Sequence, residues 1–485
     1  MNKIDNIIVV GGGNAGYISA LILKQSFPYK SIKIIESKSI GTIGVGESSS
    51  EQFAQFCSFC NISSLDLILR AKATFKNGIY FKDWSNADYL HHVNTTNCAA
   101  SIRGHYPYMQ SVVVYNKPNY EMNPCGTWIN QVPLHFFNDL SNSPTNQFHF
   151  DTHALNEYLR ELCIHRGIKV IEDKIVSSDL YEETGNLRCV TGRQKYYADF
   201  FIDCSGFSRL LLGKTLDVKW KSYSDYLPLN SAITFSTDEM EEYNMYTKAT
   251  ARDYGWSWEI PTQDSTGNGY VFSDKFINED KAQQEMENVY GKKLDIGRTF
   301  KFDPGRLETS WQKNCFAVGL SQSFVEPLEA TAIGSVINQM LAFVHHLPSN
   351  DMDGCNKVVN NIFDNIFDYV QAHYLVKRED TPFWKEVKYN LKLTSSLKSL
   401  LSKWEKRFPL NGDVLCRWGL FTEANYIPIL YGLKWFNREV IEQEYTHISH
   451  LPIVKWEETY PNTIHLSHKQ LIKESVKTYN LNNDE

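Results

Sequence analysis

The hydrophobic pattern changes period along the chain, and each period predicts a different element. Ile7 to Val10 is a short β-branched run that reads as a buried strand. Gly11, Gly13 and Gly16 follow in GxGxxG spacing, with Asn14 and Ala15 inside the turn, and "YISALILKQ" then carries apolar residues at helical spacing. A second run, "SIKIIES", ends near Glu36, about 20 residues past the last glycine. Glycines at such a strand-to-helix turn let the backbone approach a pyrophosphate, and the free N–H groups of the helix start face its charge. An acid at the end of the next strand can hold a ribose hydroxyl. These residues predict a dinucleotide site.

Residues 169–203 alternate in the manner of strands, with "ETGN" as a hairpin turn, and run on into "DCSGFSRLL". The stretch "NCFAVGLSQSFVEPLEATAIGSVINQMLAFVHHL" predicts a buried strand, a loop containing Pro327 and a helix from about Thr331. A late strand, loop and helix of this kind aims a second helix start at the cofactor, as in flavoproteins of the hydroxylase type, which favours FAD over NAD. The chain has no second GxGxxG for a nicotinamide nucleotide, so the flavin is expected to be reduced elsewhere. In "GWSWEIPT", Trp256 and Trp258 project from one face if the run is extended. In "TFKNGIYFKDW", a single strand would place Lys76 and Lys82 on one face and Phe75, Asn77, Ile79 and Phe81 on the other. From Asp380 onward the pattern is helical.

Composition narrows the classes. With 485 residues the chain exceeds one compact core, and a net charge of -7 argues against nucleic acid as its main partner. No apolar run is long enough to span a bilayer. The ten cysteines lack a framework spacing, and the lone CxxC of Cys57 and Cys60 has no second pair for a metal, so reduced thiols in a cytoplasmic protein are expected and no metal site. Aromatic residues at 13% hint at a flat apolar ligand.

Together these stretches resemble the flavin-dependent halogenases related to tryptophan halogenase. "GGGNAGY" is similar to the family's GGGxAGW element, "GVGESSS" to its GVGE loop, "TFKNGIYFKDW" to its lysine segment, "GWSWEIP" to WxWxIP, "FVEPLEATAI" to FxEPLEST and "REDTPFW" to a C-terminal element, all in family order. The resemblance implies an α/β, FAD-binding Rossmann-like fold with an antiparallel substrate-side sheet and a C-terminal helical region. Residues 1–379 would form the FAD-binding, halide-oxidising module, and residues 380–485 would cover the substrate.

It further implies that reduced FAD and O2 oxidise halide to hypohalous acid, which passes to Lys76 for electrophilic halogenation of an aromatic or indole-like small molecule. Glu329 would orient the acid and take the ring proton, Thr331 and Ala332 would hold the halide, and Trp256 and Trp258 would shield the flavin. Gly46 and Glu47, with Ile175, Leu320 and Ile333, would line the cofactor. A separate reductase would supply the reduced flavin, and self-association stays open. Two other readings also stay open: an FAD monooxygenase of the same architecture, and a silent flavin-binding module. The chain departs from the family at Ala330, Thr331 and Ala332, where Ser-Thr-Gly is usual, which predicts an altered halide preference. No match to the family's clamp for free tryptophan is present.

Overall fold

The computed structural model describes residues 4–41, 46–76, 78–86, 88–92, 131–133, 147–448 and 465–483. The β-branched run forms the strand Asn6–Val10, which pairs in parallel with Ser31–Glu36 on one side and Phe200–Asp203 on the other. Lys169–Glu172, Cys315–Ala317 and Trp311–Gln312 complete a six-stranded sheet. Ile7 and Val9 enter the main core while Ile8 and Val10 enter a second cluster on the opposite face, so every position from Ile7 to Val10 is apolar. The turn after it closes only with glycine. Gly11 has φ +125°, and a Cβ there would lie 2.1 Å from the Cys204 carbonyl oxygen.

A seven-stranded sheet runs in the order Ile296–Lys301, Ser231–Asp238, Ser265–Phe272, Gly255–Pro261, Tyr246–Arg252, Gly78–Lys82, Tyr89–His92. It is antiparallel except where Tyr246–Arg252 meets Gly78–Lys82. The helix Thr331–His346 packs on both the glycine-turn helix Asn14–Ser26 and the helix Met352–Ala372. The hairpin predicted at "ETGN" joins Ser177–Leu180 to Leu187–Thr191, with Gly185 left-handed at φ +68°.

Beyond residue 380 the helices Pro382–Asn390, Ser395–Trp404, Glu423–Gly432, Arg438–Ile448 and His468–Asn483 follow the helical pattern. Thr381 and Thr394 start the first two by accepting the N–H of Trp384 and Leu397. The main apolar core runs without a break across residue 380, joining Phe383, Trp404, Tyr426 and Leu471 to the sheet residues. Trp84, Trp311, Trp384 and Trp404 are all fully buried in it, so part of the aromatic surplus is packing. Cys57 and Cys60 are buried free thiols at the end of one helix. Among the described residues no helix is long and apolar enough to cross a membrane, and no cluster of His, Cys, Asp and Glu could hold a metal ion.

One expectation fails. The lysine segment is two strands in different sheets: Thr74–Lys76 pairs with Gln147–Phe150, whereas Gly78–Lys82 joins the seven-stranded sheet. The alternation does not carry across that break. Lys76 is fully buried, as is Phe75 beside it, while Lys82 is half-buried in another setting. Asn77 lies outside the described residues.

Candidate active site

A cavity of about 280 Å³ lies between the glycine turn, the tryptophan strand, the loop before Thr331 and the start of the helix that follows. Asn14, Ala15, Gly46, Glu47, Leu320 and Ile333 line it, as do Trp256, Trp258, Glu329, Thr331 and Ala332. Its volume is near the lower end of ligand cavities, about 300–1,000 Å³, which suits a planar ring more than a whole dinucleotide. The backbone turns sharply at Gly319, with φ +64°, and a Cβ there would crowd Ala15 at 3.0 Å. An apolar slot beside a glycine turn and an uncapped helix start fits a flavin.

Not every predicted cofactor residue lies in this slot. Gly11 and Gly13 form the turn leading to it, and Gly16 lies in the first turn of the helix that follows. Glu36, at the end of its strand, accepts hydrogen bonds from Arg160 Nε at 2.8 Å and from the Tyr17 hydroxyl. It occupies the space a side chain at Gly12 would need. Ile175 is not among the lining residues and packs against the outer core cluster.

The tryptophan pair projects from one face as the period of two requires, with ring centroids 5.9 Å apart and planes at 52°. Trp258 fits because Gly269 on the neighbouring strand has no side chain, since a Cβ there would lie 2.1 Å from the indole. Trp256 is fixed from behind. Its Nε1–H donates to Glu326 Oε2 at 2.6 Å, and the Tyr374 hydroxyl donates to the same oxygen at 2.5 Å. Burial pushes the Glu326 carboxyl up to about 7 despite these two bonds.

Lys76 is buried without a direct carboxylate contact among the described residues. Its Nζ donates to the Ser49 carbonyl at 2.8 Å, next to Ser48 in the cavity wall. Burial lowers its pKa to about 7, and the charge of Glu329 opposes that only in part. Glu329 therefore acts on Lys76 through space. Two histidines flank the lysine strand without adding charge. Burial, then Lys76 and His468, hold His149 well below the usual imidazole range, and burial lowers His468 to about 3.

Glu329 sits in an unusual turn, with Glu329 at φ +71° and Ala330 at φ +56°. Two such non-glycine residues cost on the order of 1–3 kcal/mol each, so the surroundings must impose them. His91 Nδ1 lies 2.6 Å from Oε2, His373 Nε2 2.9 Å from Oε1, and the Tyr369 hydroxyl 3.4 Å from Oε1. Burial alone would raise this carboxyl, but the hydrogen bonds and charge offered by the flanking imidazoles outweigh it and hold it below the usual carboxylate range. Sequence reasoning missed His91, His373, Tyr369 and the anchoring role of Glu326. Period-two spacing of Tyr89 and His91, and four-residue spacing of Tyr369 and His373, were the available signals.

The family model for tryptophan halogenase matches residues 6–446. The tryptophan 7-halogenase RebH of Lentzea aerocolonigenes is 29% identical, covering 89% of this chain and 90% of that protein. The tryptophan 6-halogenase SttH of Streptomyces toxytricini is 28% identical, covering 88% of this chain and 89% of that protein, and its crystal structure superposes with a TM-score of 0.82 at 25% identity over 97% and 99% of the two chains. The structure of Tar14, a tryptophan C-6 flavin-dependent halogenase from taromycin biosynthesis, gives a TM-score of 0.83 at 25% identity over 97% of this chain and 99% of its own. With the cavity, the paired indoles and the buried lysine in family order, the chain belongs to the tryptophan halogenase family of flavin-dependent halogenating oxidoreductases.

Proposed function

We propose that this enzyme installs a halogen on an electron-rich aromatic or indole-like small molecule, with Lys76 and Glu329 as the catalytic pair. Reduced FAD, bound along the glycine turn and cavity and supplied by a separate reductase, would give two electrons to O2 and the halide would give the other two, so that one oxygen atom becomes water and the other hypohalous acid. The uncapped N–H groups at Thr331 and Ala332 are suited to a halide. Trp256 and Trp258 keep the organic substrate from the cofactor while a small oxidant passes. Lys76 then holds or polarises the hypohalous acid. The halogen bonds to a ring carbon, its hydroxyl leaves as hydroxide, and Glu329 takes the displaced ring proton, which then converts the hydroxide to water. We assign residues 1–379 to flavin binding and halide oxidation and the helices of 380–485 to covering the substrate.

A fully buried lysine poised near pH 7 beside a carboxylate held ionised carries this reading. A structural lysine would rarely be buried in this way without a directly bonded acid. The relatives' names record tryptophan, yet free tryptophan is not assigned as substrate because the sequence offers no convincing match to the family's clamp for it. Mass spectrometry of indoles and phenols incubated with enzyme, FAD, reductase, NADH and each halide tests the proposal. Halide-dependent mass shifts support it, whereas oxygen insertion without halide would make the enzyme a monooxygenase.

A further inference from the structure

The hydrogen bonds around Glu329 determine where its protons lie. His373 closes the helix Met352–Ala372, and its Nδ1 lies 2.9 Å from the carbonyl oxygen of Tyr369. A carbonyl only accepts, so Nδ1 carries hydrogen. Its Nε2 faces Glu329 Oε1 at 2.9 Å, so one further proton lies in that contact, on the nitrogen or on the acid.

His91 differs. Asn425 Oδ1 accepts the Thr422 N–H at 2.8 Å, which turns the Asn425 Nδ2 amide toward His91 Nε2 at 3.1 Å. His91 Nε2 is then an acceptor, and the ring is neutral with its hydrogen on Nδ1, donating to Glu329 Oε2 at 2.6 Å. Tyr369 and Tyr89 also face the carboxylate, and burial keeps both phenols neutral. Lys76 acts from farther away. The end of a helix favours a cation at His373.

We propose that His373 is an imidazolium and serves as a positioning residue, clamping Glu329 as an aimed carboxylate together with neutral His91. This rests on the reading of Glu329 as the catalytic base. With its charge balanced by His373, Glu329 exerts less hold on Lys76, which can then meet the oxidant as an uncharged amine with a free lone pair.

Neutron diffraction from wild-type crystals exchanged into D2O near pH 7.5 tests the protonation without any variant. Deuterons are expected on both nitrogens of His373, on Nδ1 alone of His91 and on neither oxygen of Glu329. A deuteron on Glu329 with a bare His373 Nε2 would overturn the proposal even in a fully active enzyme. A His373→Gln variant keeps an N–H donor toward Glu329 but removes the charge. Its halogenation should fall about 10- to 100-fold, less than a general base itself contributes, and the acid limb of its pH profile should move upward as Glu329 takes up a proton nearer neutrality. Wild-type rate and an unmoved acid limb in the folded variant would overturn it. A Glu329→Gln variant with full activity would instead sink the catalytic reading while leaving the protonation result standing.

Discussion

Glu326 and Glu329 stand three residues apart in one loop, both buried, at 1% and 4% exposure, and their carboxyl groups are driven in opposite directions. Glu326 faces the tryptophan strand, where neutral donors, an indole N–H and a phenol, share one oxygen and the other oxygen has no partner among the described residues. Glu329 faces the strand Tyr89–His92 and the end of the helix Met352–Ala372, where an imidazole meets each oxygen. Burial is the same in both places. The number and charge of the donors decides which carboxyl is poised near 7 and which stays ionised. One therefore anchors the Trp256 indole, and the other is the carboxylate we propose as the base.

Removing the base should have the largest effect. A Glu329→Gln variant should lose about 10²- to 10⁴-fold in halogenation rate, the span of a general base, measured as product per unit time at saturating reduced FAD. The matching Glu326→Gln variant should keep far more activity and show its effect in stability. The Glu326 pKa rises from 4.5 to about 7 on folding, so the native state binds more protons than the unfolded chain between those values and stability falls as pH rises through that window. The glutamine variant should remove a pH-dependent loss on the order of 3 kcal/mol, seen by comparing urea midpoints of the two proteins at pH 5 and pH 8. The low pKa of Glu329 adds no such slope there, because its stabilisation is lost only as pH falls from 4.5 toward 2.

A smaller effect sharpens the view of the anchored wall. Gly269→Ala drives a methyl into the Trp258 indole and should destabilise the fold by about 1–3 kcal/mol, checked by urea denaturation. The smallest expected change is in halide choice. Ala332→Gly at the start of the cavity helix should alter the ratio of chloride, bromide and iodide turnover, and an identical ratio would detach this position from the halide.

The glycine turn, the parallel strands around it, the late strand and helix, and the indole pair were legible in the sequence because each depends on local spacing. The lysine segment was misread because a period of two holds only within one strand, and the chain changes sheets between Lys76 and Gly78. The partners of Glu329 were missed for another reason. His91 and His373 lie 238 and 44 positions away, and only the packing of strand, loop and helix brings them to one carboxylate. Sequence position supplied the acid and the lysine, while tertiary structure supplied what sets their charge.

Removing Lys76 tests the proposed chemistry most directly. A Lys76→Ala enzyme given FAD, reductase, NADH, bromide and an indole substrate should continue to consume NADH and oxygen yet form no brominated product by mass spectrometry. Bromination at the wild-type rate would contradict it.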